Sequence, residues 1–327
     1  VFASASETTI LFKYIGTKSK IVLPDYINGN VYDIFQYAFS GNKSLSDITI
    51  ADAVTKIGDD AFQGCSELSK VVIGNGVKTI GIWAFSRCDK LSEVKLGNSI
   101  EDIPYNIFPS DGDFLTEESG IYYLDNWVYK SSPDITVANI REGTIGIAEY
   151  AFKDRPSLTT VTLPEGLKYI SDEAFNNCPA LKEINYPDSI LKIGNMAFAD
   201  CKSLKSAILP NGIKKMGYYI FYNCSALENV SLPSSLSAID SGVFKNCTSL
   251  KAIVIPANVM AINAYVFSGC KNLKSVTFED PNGWMYYNRN SSSSTPSYTR
   301  LDVSDPIVSA KWLTDEFNTW YYAISHT

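Results

Sequence analysis

A solenoid of about eleven stacked 23-residue coils is the fold that this 327-residue sequence predicts, and three observations predict it. Phenylalanines stand at 39, 62, 85, 108, 152, 175, 198, 221, 244 and 267, and every step is 23 residues except the 44 between Phe108 and Phe152. All seven cysteines, at 65, 88, 178, 201, 224, 247 and 270, follow a repeat phenylalanine by three. Between them the apolar positions recur as Leu-x-x-Val-x-Leu and Val-x-x-Ile. A unit this short cannot enclose such side chains alone, so neighbouring coils must stack and bury one continuous core.

The elements follow in chain order. Ala3-Ser4-Ala5 has the small-x-small form of a signal-peptidase site, so residues 1–9 are expected to be a leader remnant or a disordered start. Residues 10–38, with Ile21-Val22-Leu23-Pro24 and the Asn28-Gly29-Asn30 insertion, read as an atypical first coil that covers the open end. In each regular coil the period-two pairs Val71/Ile73, Val161/Leu163 and Ile253/Ile255 predict a half-buried strand. Pro164, Pro187, Pro210, Pro233 and Pro256 stop that strand, because proline cannot donate to a ladder. The following stretch, with Gly58, Gly81, Gly194 and Gly217, predicts a turn and a short helical or 3-10 piece, with the phenylalanine filling the space between strand and turn.

Residues 109–130 interrupt the period. Ile121–Leu124 and Trp127–Tyr129 flank Asp125-Asn126, the signature of a hairpin, and Tyr129 takes the phenylalanine position of a degenerate coil. After Phe278 the period ends, and residues 279–327 are expected to form a cap. It comprises a polar serine-rich loop over 291–297 and a helix from about Ile307 to Phe317 with Ile307, Ala310, Leu313 and Phe317 on one stripe. Trp284, Trp312 and Trp320 would supply a hydrophobic lid.

With Ile80-Gly81, Ala84-Phe85, Cys88 and Leu91 on one coil, the repeat resembles the leucine-rich repeat of BspA-like bacterial surface proteins, over about Ile21 to Phe278. The resemblance implies a leucine-rich repeat solenoid, a right-handed coil with a parallel β-sheet on its concave face and short helical or 3-10 turns opposite. It also implies a secreted or cell-surface protein concerned with adhesion or host-factor binding, and it carries no catalytic residues over. The departures are the degenerate coil and the replacement of the cysteine by Asn42 and Arg155.

The remaining chemistry narrows the function. The one histidine, His326, stands next to the end of the chain, which removes most histidine-based acid/base catalysis and His-ligated metal sites. With 28 Lys and Arg against 35 Asp and Glu, the net charge of −7 argues against nucleic acid or an anionic membrane as partner. No run of 18 apolar residues is present to span a bilayer. In-register cysteines point the same way along the stack, so they read as buried thiols acting as small hydrophobes, not as disulfides or metal ligands. No cofactor or metal is expected.

What is left is surface. The outward strand column includes Thr162, Asn185, Ile208, Ser231 and Val254 on five consecutive uninterrupted coils, neutral residues that suit a protein or glycan partner on a host or neighbouring cell, or are simply good strand formers. A second column, two residues before the repeat phenylalanine, carries Trp83, Tyr219 and Tyr265, which pack between coils or form an exposed aromatic strip. The sequence reads as a non-catalytic binding module that engages its partner through the concave face; the alternative is a stiff spacer of a longer surface protein.

Overall fold

The computed structural model describes residues 2–5, 8–109, 112–287, 298–300, 302–315 and 324–326. The chain forms two compact units, one of residues 1–130 with 145–149 and one of residues 131–144 with 150–327.

In the first unit the coils supply strands to two ladders. Lys20–Val22, Asp47–Ile50, Lys70–Ile73 and Glu93–Lys95 pair in parallel, with Ile48, Val71 and Val94 in register and buried. This is the longer-strand face that the period-two alternation predicts. A second parallel ladder, which the sequence reading did not include, joins Thr8–Leu11, Tyr32–Ile34, Val54–Ile57 and Thr79–Ile80. Leu11 is in register with Ile34, and the Tyr14 ring stacks on Phe39 at 5.1 Å in place of a phenylalanine. This is the atypical first coil expected over 10–38, and with it the solenoid has about twelve turns. Where a leader remnant or disordered start was expected, Phe2–Ala5 is a strand antiparallel to Thr8–Leu11.

The turn arc is not helical, contrary to expectation. Ala61 and Gln63 donate back to Gly58 and Asp60, closing tight turns, but the amides of Asp60, Phe62 and Gly64 donate forward to Ile82, Ala84 and Ser86 at 2.7–3.0 Å. Such alternation needs left-handed residues at fixed places: Asp60, Trp83, Tyr150, Glu173, Met196, Tyr219 and Tyr265 all have φ between 52° and 62°. A left-handed residue ends any helix and costs about 1–2 kcal/mol outside glycine. Pairing every second amide with the next coil offsets that cost, since a buried unpaired N–H is worse.

Inside, the phenylalanine rings of the first unit stack face to face: Phe39–Phe62 at 4.7 Å, Phe62–Phe85 at 4.9 Å and Phe85–Phe108 at 5.0 Å between centroids. The stack ends on Phe108, against which Phe114 is tilted at 5.6 Å and Tyr129 stands edge-on at 6.4 Å. Tyr129 is thus beside the phenylalanine column, not a member of its parallel stack. The interruption is the expected hairpin with one strand more: Thr116–Glu118, Ile121–Leu124 and Trp127–Ser131 lie side by side. Trp127 and Val128 then pair in parallel with Gly146 and Ile147, in a sheet separate from the second ladder. Gly146 is required there, because a Cβ would lie 2.4 Å from the Trp127 ring.

The second unit repeats the plan. Its stack runs Phe152, Phe175, Phe198, Phe221, Phe244 and Phe267, with planes within 10° of one another. Its second ladder joins Tyr169–Ile170, Lys192–Ile193 and Lys215–Met216, and further on Ala238–Ile239 and Ala261–Ile262. The chain end closes this ladder with antiparallel strands: Ile324–His326 pairs with Ala261–Ile262 and with Trp284–Tyr287, which pairs in turn with Tyr298–Arg300. A helix, Pro306–Asp315, packs on Ser275–Phe278, capped by the Asp305 carboxylate on the amides of Ile307 and Val308. Ala310 and Leu313 are buried as expected, whereas Ile307 is 70% exposed in the capped first turn. Trp284 is buried edge-on to Phe278 at 4.8 Å. The side chain of Trp312, the residues Phe317 and Trp320, and the serine-rich stretch 291–297 lie outside the described residues.

Candidate functional site

The strand face of the second unit carries the outward column, and the register brings it together in pairs: Asn139 with Thr162, Ile208 with Ser231, and Val254 with Thr277. Thr162, Asn185 and Ser231 are exposed, as are Ile208 and Val254 at 56% and 49%. The ladder is not continuous. Val137–Asn139, Thr160–Thr162 and Glu183–Ile184 form one sheet, and Ser206–Ile208 with Asn229–Ser231 begins another.

Two residues set apart the coil at which the ladder stops. In neighbouring coils the amide after the outward residue donates to the next coil's outward carbonyl, as Ile140 does to Thr162 and Leu209 to Ser231. At Leu163 the Asn185 side chain substitutes: its Oδ1 accepts from the Leu163 N–H at 2.7 Å and its Nδ2 donates to the Leu163 carbonyl at 2.9 Å. Asn185 is therefore exposed, but its amide is committed to the backbone. Beside it, Tyr186 occupies the inward slot that holds Leu163 one coil earlier, edge-on to Phe198 at 5.8 Å. Its hydroxyl is buried without a hydrogen-bond partner among the described residues, and burial holds its pKa well above the ordinary tyrosine value. The phenylalanine spacing widens across this point, from 5.0 and 5.2 Å to 5.7 Å and then 5.8 Å.

Over the break lies a cleft of about 500 Å³ lined by Thr160, Val161, Thr162, Lys182, Glu183, Ile184, Asn185, Lys205 and Ser206. Of the outward column, Thr162 and Asn185 line this cleft, and Ile208, Ser231 and Val254 do not. The two lysines and the glutamate were outside the column and were missed. Their signal was the charge at the strand starts, Lys182-Glu183 and Lys205.

The strand face of the first unit differs. Lys20–Asp47 at 3.1 Å and Lys70–Glu93 at 2.6 Å bridge successive strands. At its end an amide ladder climbs the coils: the Asn75 N–H donates to Asp52, the Asn98 N–H to Asn75 Oδ1, and Asn126 Nδ2 to Asn98 Oδ1. These residues border a second polar cleft of about 570 Å³.

The aromatic strip divides between the units. Trp83 stands in the first, 47% exposed beside Ile82. Tyr219 and Tyr265 stand in the second, half-buried around Lys245. All seven cysteines are free and buried. Each thiol donates to the carbonyl of the preceding coil's phenylalanine, as Cys201 does to Phe175 at 3.3 Å and Cys178 to Phe152 at 3.0 Å. Burial pushes the Cys65 thiol up to about 11 and Cys178 and Cys270 to about 12. Among the described residues no group of three or more His, Cys, Asp or Glu is placed to hold a metal ion, and no helix is long and apolar enough to cross a membrane.

Stacked 23-residue coils, a parallel ladder on one side and a phenylalanine column with thiol donors within define a protein of the leucine-rich repeat solenoid class. The BspA type leucine rich repeat region matches this chain in six copies over residues 10–116, 122–251 and 168–295, and the chain belongs to that family. Among solved structures it is similar to a leucine rich repeat protein of T. pallidum, with 20% identity over 84% of this chain and 87% of that one and a TM-score of 0.36. It is also similar to a leucine rich cell surface protein of Faecalibacterium prausnitzii A2-165, with 21% identity over 86% and 93% and a TM-score of 0.31. A third is the pneumococcal vaccine antigen PcpA, with 20% identity over 74% and 73% and a TM-score of 0.39. No curated protein matches the chain.

Proposed function

We propose that this chain is a non-catalytic binding module of a secreted or surface-attached bacterial protein, and that it engages a protein or glycan on a host or neighbouring cell through the strand face of its second unit. The observation that carries the reading is the cleft at the interrupted ladder, lined by hydroxyls, an amide and three charged side chains. Outside the cleft, Ile208 and Val254 present exposed apolar surface of the kind that anchors partners. The cell-surface description of one similar structure agrees with this location.

The test is a variant carrying Glu at Thr162, Ile208 and Ser231, all outward and exposed, assayed for adherence to host cells and extracellular-matrix proteins. Asn185 is left alone because its amide holds Leu163. The variant is expected to melt like the parent and to lose binding, since unpaired charges buried in an interface together cost several kcal/mol, on the order of 2–5 for each fully buried one. Unchanged adherence would reject the strand face and favour a spacer role.

A further inference from the structure

The turn arc of the second unit contains two lysines in the same place in the repeat, directly after the phenylalanine. Lys153 follows Phe152. Its ammonium lies 4.4 Å from the centre of the Tyr150 ring and 2.6 Å from the Glu173 carboxylate of the next coil. A cation, a ring and an anion there complete one another.

Lys245 follows Phe244, four coils later, and its surroundings differ at two positions. The place of Tyr150 is taken by Gly242, and the place of Glu173 by Tyr265. The ammonium now lies 5.3 Å from the Tyr265 ring centre and 5.9 Å from those of Tyr219 and Tyr222. Gly242 makes the enclosure possible, because a Cβ at that position would come within 2.3 Å of the Tyr219 ring. Among the described residues the Lys245 ammonium forms no ion pair and no hydrogen bond, and its contacts are the tyrosine rings. Three tyrosine rings stand around a half-buried cation that has no carboxylate beside it among the described residues, where Lys153 has Glu173.

Beside this cluster Tyr218 is 49% exposed, edge-on to Tyr219 at 6.1 Å, and Tyr222 stands edge-on to Tyr219 at 5.7 Å. The backbone beneath is closed: Tyr219, Phe221, Gly242 and Phe244 all donate to the next coil at 2.9–3.0 Å. An acidic peptide adding as a strand would find no free main-chain edge here. A sugar ring needs none, because its apolar C–H face lies on an aromatic ring and its hydroxyls meet the tyrosine hydroxyls.

We propose that Lys245, caged by Tyr219, Tyr222 and Tyr265 and flanked by Tyr218, is a binding site for an acidic saccharide whose anionic substituent takes the place that Glu173 holds beside Lys153. The site is on the turn arc, so it stands or falls separately from the strand-face reading.

The test measures binding of the whole chain to immobilised polygalacturonate, dextran sulfate, neutral dextran and polyglutamate at low and at moderate salt. Wild type is expected to bind at least one acidic polysaccharide, more weakly as salt rises, and to ignore dextran and polyglutamate; the polymer it prefers identifies the anion as carboxylate or sulfate. Tyr265→Glu supplies an internal anion at a place where Glu173 shows that glutamate is accommodated. It and Lys245→Gln are each expected to lower affinity by about tenfold or more, with Lys153→Gln within about twofold of wild type. Parallel melting curves show that the variants are folded. No retention on either acidic polysaccharide, equal retention on polyglutamate, or wild-type binding by folded Tyr265→Glu would overturn the proposal.

Discussion

The cysteines do more than fill space. Each Sγ lies 3.0–3.3 Å from the carbonyl oxygen of the phenylalanine in the preceding coil, and at Phe39, Phe62, Phe198, Phe221 and Phe244 it is a second donor beside the backbone N–H three residues on. The two exceptions supply the same service: Asn42 Nδ2 donates to the Gly16 carbonyl, and Arg155 Nη2 to the Ser131 carbonyl at 2.7 Å. The position calls for a small buried donor, and a thiol provides one with little polar desolvation. Burial raises all seven thiol pKa values above the ordinary 9.0. The folded state therefore favours the neutral thiol, and the resulting stability is present in full below pH 9 and is lost as pH rises through the folded-state values, about 11–12 for Cys65, Cys178 and Cys270 and higher for the other four. The melting temperature is expected to be flat from pH 6 to 8 and to fall above about pH 9, with maleimide labelling of the thiols appearing only as the protein unfolds. Rapid labelling of most cysteines at pH 8 would refute the buried ladder.

The strand Glu183–Ile184 is where one coil departs from its neighbours, and Tyr186 is the physical reason to test. A tyrosine in a slot built for leucine adds volume and leaves a buried hydroxyl unsatisfied, each of which is destabilising. Replacing Tyr186 with Leu is expected to stabilise the protein by about 1 kcal/mol and to narrow the cleft. Chemical denaturation measures the first, and a crystal structure of the variant shows the second. A loss of more than about 1 kcal/mol would mean that the tyrosine is well accommodated and that the break has another origin.

As a molecule, the chain is two runs of nearest-neighbour contacts, in which each coil is held by the one before and the one after. Phe198 lies within the longer ring stack, fully buried between Phe175 and Phe221 at 5.2 and 5.7 Å. Phe198→Ala is expected to cost about 3–5 kcal/mol as lost transfer energy and a cavity. Because coupling runs only between adjacent coils, the damage is expected to be local: hydrogen exchange would accelerate first in the coils of Phe175, Phe198 and Phe221, with the amides around Phe62 and Phe85 keeping their protection. Uniform acceleration across both units would show one cooperative block instead.

Much of this architecture could be read directly from the residues. A 23-residue recurrence of Phe, Cys, Leu and Val leaves only stacking as a way to bury them, so the coil, the inward alternation at Val71 and Ile73, the hairpin at Asp125-Asn126 and the outward column were all legible. The turn arc was not, because local propensity there points away from the truth: Trp83, Met196 and Tyr219 are poor left-handed residues, held so by amides that pair with the next coil. Nor was the candidate site. Asn185 and Tyr186 look like ordinary members of their columns until their side chains are seen to take over a backbone pairing and to crowd a leucine slot. Likewise Gly242 reads as a gap in an aromatic column, and becomes part of a tyrosine cage only once three coils are laid side by side. Periodicity reports what every coil shares; a binding site is made where one coil differs from its neighbours, and that difference acts across space between residues about 23 apart.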